Sequence, residues 1–297
     1  RSYAESLGLS ARFAGTALAG TSAAPLGEDV VTVIVVDDAD SMSIVTATQL
    51  DAWGVSFAVA LDMALDHLRG MPGGGFVRNP DGVMVGDWND AYDSSRLLLP
   101  DVIHRAGISD PVAMIPTRDS ILLAPAGDRR ALLAMLALAH TASEEQGRTV
   151  SAAMYHFRNG SAQTYTPEDE EVARGLAQLR QRYLAEDYAA QKTLLDDLHE
   201  KHDLDLFVAS FMLAHDNHAR EEFSLCTWSE GVDALLPKAD RIALVSFNEQ
   251  GEAQRAGTYD WDTVSAVAGH LMTPQSDTYP IRYRVTQFPD LTLLEAH

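Results

Sequence analysis

Val112-Ala113-Met114-Ile115-Pro116-Thr117-Arg118-Asp119-Ser120-Ile121-Leu122-Leu123-Ala124 reads as two short apolar strands, Val112–Ile115 and Ile121–Ala124, around a polar turn. Pro116 fixes φ, and Asp119 is placed to bond nearby backbone N–H groups. Pro237-Lys238-Ala239-Asp240-Arg241-Ile242-Ala243-Leu244 repeats Pro, Asp, Ile and Leu at the same offsets as Pro116–Leu123. In both places a strand enters, a strand leaves, and a helix and a further strand come later. Two readings stay open: a chance likeness of two strand turns, or a duplicated module whose halves meet near residues 160–175.

Outward from these turns, Val30–Val36 is a continuous apolar, β-branched run, the pattern of a buried strand. Met42–Val45 can return as its partner. Ser56 is placed to cap an amphipathic helix ending near Gly70, with Ala60, Met63, Ala64 and Leu68 on one face. Phe76–Gly86 reads as a hairpin turned by Asn79-Pro80-Asp81-Gly82. A helix from Ser94 to Ala106 must be kinked or divided at Pro100. Asp128 caps a helix to Ala142, Ala152–Phe157 is a strand turned by Asn159-Gly160, and Glu168–Glu200 is helical. Strands near Leu206–Phe211, Phe223–Trp228 and Ile242–Phe247, a helix at Trp261–Leu271 and a strand at Ile281–Phe288 follow. Strands do not alternate cleanly with helices. The expectation is therefore an α+β fold of mixed, largely antiparallel sheets with packed helices, in two α+β halves. Residues 1–29 read as an N-terminal extension or trimmed segment, 30–165 as the first half and 166–297 as the second.

Composition bounds the partners. The 297 residues carry 22 Lys and Arg against 43 Asp and Glu, a net charge of −21. Nucleic-acid binding needs cations to replace phosphate counterions, so this balance opposes it. It also opposes anionic membrane surfaces and favours a basic protein partner. No apolar run approaches the roughly 20 residues of a membrane span. The lone Cys226 permits no intrachain disulfide, which fits a reducing cytoplasm, and its alternating apolar context predicts a buried thiol.

The densest polar cluster is Gly86-Asp87-Trp88-Asn89-Asp90-Ala91-Tyr92-Asp93-Ser94-Ser95-Arg96. Asp87, Asp90 and Asp93 recur at every third position. Carboxylates on such a loop could converge on Mg²⁺ or Ca²⁺, or push one another's pKa apart into an acid and a base. Alternatively, Asp93 or Ser94 caps the following helix and Arg96 pairs with Asp90 or Asp93. Arg118 and Asp119 lie between apolar strands, where an unsatisfied charge is expensive. Arg118 could reach Asp87 or Asp90, or hold a ligand anion.

Other constellations are weaker. Val33-Ile34-Val35-Val36-Asp37-Asp38-Ala39-Asp40 resembles the Asp-x-Asp loop of haloacid-dehalogenase-type phosphatases. Those enzymes need a Lys, and none precedes Lys192 here. His199 with His202, and His215 with Asp216 and His218, do not have the His-Glu-x-x-His spacing of zinc peptidases and read as solvated surface histidines. Gly73-Gly74-Gly75 lacks the Gly-Lys-Ser/Thr of a phosphate loop.

Asp90-Ala91-Tyr92-Asp93-Ser94-Ser95-Arg96-Leu97-Leu98-Leu99-Pro100 and Ile115-Pro116-Thr117-Arg118-Asp119 resemble the YtpQ-like family of uncharacterised bacterial proteins. Leu50–Ser56, Asp205–Ala209 and Trp228 through Leu235-Leu236-Pro237 are similar to it too, so the resemblance spans most of residues 45–288. It implies a cytosolic α+β protein and carries over no catalytic residues.

The sequence thus points to a non-catalytic binding or regulatory protein without a cofactor. Its expected surface is Asp87, Asp90, Asp93, Ser94, Ser95, Arg96, Arg118 and Asp119. The competing expectation is a Mg²⁺- or Ca²⁺-dependent hydrolase or phosphoryl-transfer enzyme. There Asp87, Asp90 and Asp93 would serve as ligands or acid/base groups, and Arg96 and Arg118 would hold the substrate anion.

Overall fold

The computed structural model describes Leu9 and residues 22–27, 29–38, 41–146, 149–216, 221–248, 250, 252–276 and 278–294. They form an α+β protein with mostly antiparallel sheets, in two compact units. The division falls at Tyr183/Leu184, inside a long helix and downstream of the 165/166 boundary read from the sequence. Among the described residues no helix is long and apolar enough to cross a membrane.

The first unit opens with two ribbons. β1 (Ala23–Pro25) pairs with β2 (Val31–Val33), and β3 (Val35–Asp38) pairs with β4 (Ser41–Ile44). The single buried strand expected at Val30–Val36 is corrected here. The run breaks at Ile34, its two pieces join different ribbons, and β3 is largely exposed. Its apolar side chains serve short two-stranded pieces, not the centre of a sheet.

α1 (Ala47–Trp53) starts with a reciprocal capping box between Thr46 and Gln49. α2 (Phe57–Gly70) starts at Ser56, whose hydroxyl accepts from the Val59 amide as expected. Its inner face is Ala60, Leu61, Ala64 and Leu68, whereas Met63 is 55% exposed, contrary to expectation. The hairpin of β5 (Phe76–Arg78) and β6 (Met84–Gly86) turns where predicted. Asn79 Oδ1 accepts from the amides of Asp81 and Val83, and Gly82 supplies φ +90°.

The expected helix at Ser94–Ala106 is divided at Pro100, into a 3₁₀ turn (Ser94–Leu98) and α3 (Pro100–Arg105). β7 (Pro111–Met114), β8 (Leu122–Pro125), α4 (Arg129–Gln146), β9 (Met154–Arg158), β10 (Ser161–Tyr165) and α5 (Glu170–Lys201) follow. Asp128 caps the start of α4 by accepting from the Ala131 amide.

One six-stranded, wholly antiparallel sheet organises this unit, in the order β10-β9-β7-β8-β6-β5. Alternate residues of β7 and β8 serve its two faces. Val112, Met114, Leu122 and Ala124 pack with Leu132, Met135, Leu176 and Tyr183 of α4 and α5. Ala113, Ile115, Ile121 and Leu123 pack with Leu97, Ile103 and Val30. Both faces are covered, so these strands read as unbroken apolar runs.

The second unit contains β11 (Phe207–Val208), β12 (Met212–Asp216), β13 (Glu221–Ser229), β14 (Ala234–Pro237), β15 (Arg241–Phe247) and β16 (Ala253–Asp260). α6 (Trp261–Ala268), a 3₁₀ turn (Gly269–Leu271), β17 (Thr273–Gln275), β18 (Arg282–Val285) and α7 (Leu291–Leu294) complete it. Two four-stranded sheets run β11-β14-β18-β17 and β12-β13-β15-β16. The β11–β14 and β13–β15 pairings are parallel and the others antiparallel.

The two similar strings therefore share a strand entering and a strand leaving. β7 and β8 are neighbours in one sheet, whereas β14 and β15 belong to different sheets. The unit's core gathers Cys226, Trp228, Leu236, Ile242, Leu244 and Val264. Cys226 is fully buried, as its sequence context predicted.

Candidate functional site

The loop between β6 and the first 3₁₀ turn holds most of the predicted site. It begins at Gly86, whose amide donates to Ile121 O at 2.8 Å. A Cβ at that position would sit 2.6 Å from Ile121 Cγ2 and 2.9 Å from Asp93 Oδ1, so glycine permits the close approach. Asn89 and Ala91 take left-handed φ values of +54° and +64° and fold the loop back on itself. For alanine that conformation costs roughly 1–2 kcal/mol, which the surrounding contacts must supply.

Those contacts centre on Arg96, which is 2% exposed. Its Nη1 and Nη2 donate to Asp90 Oδ1 and Oδ2 at 2.9 and 2.6 Å. Its guanidinium lies 4.3 Å from the Trp88 ring centroid. The Arg96 hydrogen bond holds the Asp90 carboxyl below the usual carboxylate range. Asp93 is 1% exposed and accepts from the Trp88 amide through Oδ1, while its Oδ2 has no partner. Burial raises the Asp93 pKa.

Asp87 is exposed and accepts from Asn89 Nδ2 at 2.6 Å. Each of the three carboxylates thus has a different task. Among the described residues no group of three His, Cys, Asp or Glu is arranged to hold a metal ion. Asp93 occupies the capping position of the 3₁₀ turn but makes no side-chain cap there, because its oxygen is turned to Trp88.

The second predicted segment meets the first through backbone: the Ser94 amide donates to Arg118 O at 3.1 Å. The side chains depart from expectation. Arg118 and Asp119 are both 47% exposed and pair with each other at 3.4 Å. The turn is exposed, so no buried charge arises there, and among the described residues Arg118 makes no hydrogen bond or ion pair with Asp87 or Asp90.

Sequence reasoning overlooked Tyr92 OH, which donates to Asp37 Oδ2 at 2.9 Å. Burial, with help from Asp37, pushes the Tyr92 pKa to about 12. This contact spans distant parts of the chain, and no local pattern announces it. Asp37 and Asp38 lie on the exposed β3, while Ala39 and Asp40 lie outside the described residues.

Residues of the loop line two cavities. Trp88 and Arg96 line one of about 350 Å³. Tyr92, Ser94 and Ser95 line another of about 550 Å³, walled by aliphatic residues such as Val33, Leu65 and Ile115.

Among the described residues the histidines join no cluster that could hold a metal ion. His199 is buried, contrary to the expectation of a solvated face, with Nδ1 2.9 Å from Leu206 O. His215 is exposed on β12, and His218 lies outside the described residues. In comparisons with known proteins, no family model, curated protein or solved structure matches this chain.

Proposed function

We propose that this chain is a non-catalytic, cytoplasmic binding protein that docks a basic protein partner on the surface of the 87–96 loop and the 118–119 turn. One observation carries the reading. The carboxylates that could have served a metal are spent on holding the loop, Asp90 on Arg96 and Asp93 on the Trp88 amide, while Asp87 and Asp119 remain exposed. A rigid loop that displays acidic side chains suits recognition, and the net charge of −21 steers a basic partner towards it.

Membership of the YtpQ-like family belongs to the same proposal. Its support is the sequence resemblance alone, carried by the Ser94-Ser95-Arg96 and Pro116-Thr117-Arg118-Asp119 strings.

A photo-crosslinking residue placed at the exposed position 118, which leaves Asp87 and Asp119 in place, tests the docking surface. A defined basic protein should be captured from host extract, with capture falling steeply as salt is raised. The D87K/D119K variant should lose it. Undiminished capture by that variant would remove the proposal.

A further inference from the structure

The 350 Å³ cavity brings together the C-terminal end of α2, the Gly73-Gly74-Gly75 loop, Trp88, and Arg96 and Arg105 from the segment around Pro100. Gly73 and Gly74 have φ values of +87° and +70°. A Cβ on Gly74 would lie 2.4 Å from the Trp88 ring, so only glycine lets this loop press against the indole. Among the described residues, the amides of Gly73, Gly74 and Gly75 donate no hydrogen bond. Backbone amides left without a protein acceptor at a cavity wall can donate to a bound anion.

Three arginines line the same cavity: Arg69, Arg96 and Arg105. Arg96 is fixed by Asp90. The other two share Asp101, at 3.4 Å from Arg69 and 2.9 Å from Arg105. These are exposed pairs, with Arg69, Arg105 and Asp101 side chains 43%, 68% and 48% accessible. Asp66, the other partner of Arg69, is 78% accessible. Pairs of this kind contribute little, so a better-matched oxyanion can displace Asp101 from both guanidinium groups. The three arginines are matched by Asp66, Asp90 and Asp101, so the cavity is locally near neutral on a chain of net charge −21 and is less hostile to an anion than the surface at large.

We propose that this cavity binds a small ligand through a tetrahedral oxyanion of the phosphate type. The glycine amides receive its oxygens, and Arg69 and Arg105 balance its charge. The cavity lies within the ~300–1,000 Å³ range of small-molecule sites. Beyond the oxyanion, Phe76, Met84 and Leu99 offer apolar wall for an organic body. The site shares Trp88 and Arg96 with the docking loop but does not use its exposed Asp87 and Asp119, so the two proposals are tested by different variants and either can fail without the other.

Calorimetric titration of the full chain with inorganic phosphate and with phenyl phosphate, at about 0.15 M ionic strength, tests it. Saturable binding is expected. Replacing Arg69 and Arg105 by glutamine (R69Q/R105Q) should weaken it by roughly tenfold or more. The single R105Q variant should lose part of that affinity, and its exposed position protects the fold. Tighter binding of phenyl phosphate would assign an ester, and equal binding a free phosphate; both support the oxyanion site. Absence of saturable heat with both probes, or undiminished affinity in both variants, would overturn it.

Discussion

Asp90 grips Arg96 through both terminal guanidinium nitrogens, at 2.9 and 2.6 Å, beneath the ring of Trp88. The arginine is 2% exposed and the aspartate side chain 17%, so this pair is largely withdrawn from water. Removing one partner leaves the other charge uncompensated. Arg96→Met and Asp90→Asn should each cost about 3–5 kcal/mol. The double variant D90N/R96M should cost less than the sum, and a denaturation cycle over the four proteins reads the coupling. Additive losses would show that the pair does not hold the loop.

Asp93 and Asp90 should pull stability in opposite directions as pH changes. Burial raises the Asp93 pKa, so its favourable contribution is complete below the unfolded carboxyl range and lost as pH rises through the raised folded value. Asp90 is held low by Arg96, so its contribution is present above the unfolded range and lost as pH falls through the lowered folded value. Asp93→Asn keeps an oxygen for the Trp88 amide and removes the buried charge. It should therefore be at least as stable as the parent at neutral pH, with the gap closing in acid. Urea unfolding at pH 7 and pH 4 checks this, and a D93N protein less stable at pH 7 would contradict it.

Arg282 should be the least replaceable residue of the second unit. It is fully buried and donates to Gln191 Oε1 and to the carbonyl oxygens of Tyr188, Ala209 and Leu235. Desolvation lowers its pKa to about 10, still well above neutrality. Arg282→Lys keeps the charge but cannot span these acceptors, and Arg282→Met removes the charge but orphans them. Each orphaned acceptor costs roughly 1–3 kcal/mol, so both variants should lose several kcal/mol or fail to fold. A loss under about 1 kcal/mol in Arg282→Met would mean that the network is dispensable.

Cys226 should be inert in the folded protein. Its side chain is fully buried, and burial pushes the thiol pKa to about 12. Only the thiolate attacks disulfide reagents. Labelling with an aromatic disulfide should therefore be negligible in buffer and complete in denaturant, and the protected fraction should follow the unfolding curve. Rapid labelling under native conditions would contradict this packing.

What the sequence determined by itself was local. Asn79–Gly82 and Asn159-Gly160 announced their turns, Ser56 and Asp128 their helix starts, and Pro100 the division of its helix. Each depends on bonds or dihedral limits within a few residues, and together they fixed the α+β class. Tertiary structure decided the rest, because the same residue types acquire different partners across the chain. Arg96 took Asp90 and left Asp93 to Trp88 only because the loop reverses at Asn89 and Ala91 and passes Ile121 at the distance Gly86 allows. Asp119 and Asp240 share an offset from proline, yet Asp119 is half-exposed beside Arg118 while Asp240 is tied to the Ser224 amide and hydroxyl. Spacing along a chain specifies which groups can be neighbours on one turn; burial and long-range pairing specify which of them keep their charge free for a ligand.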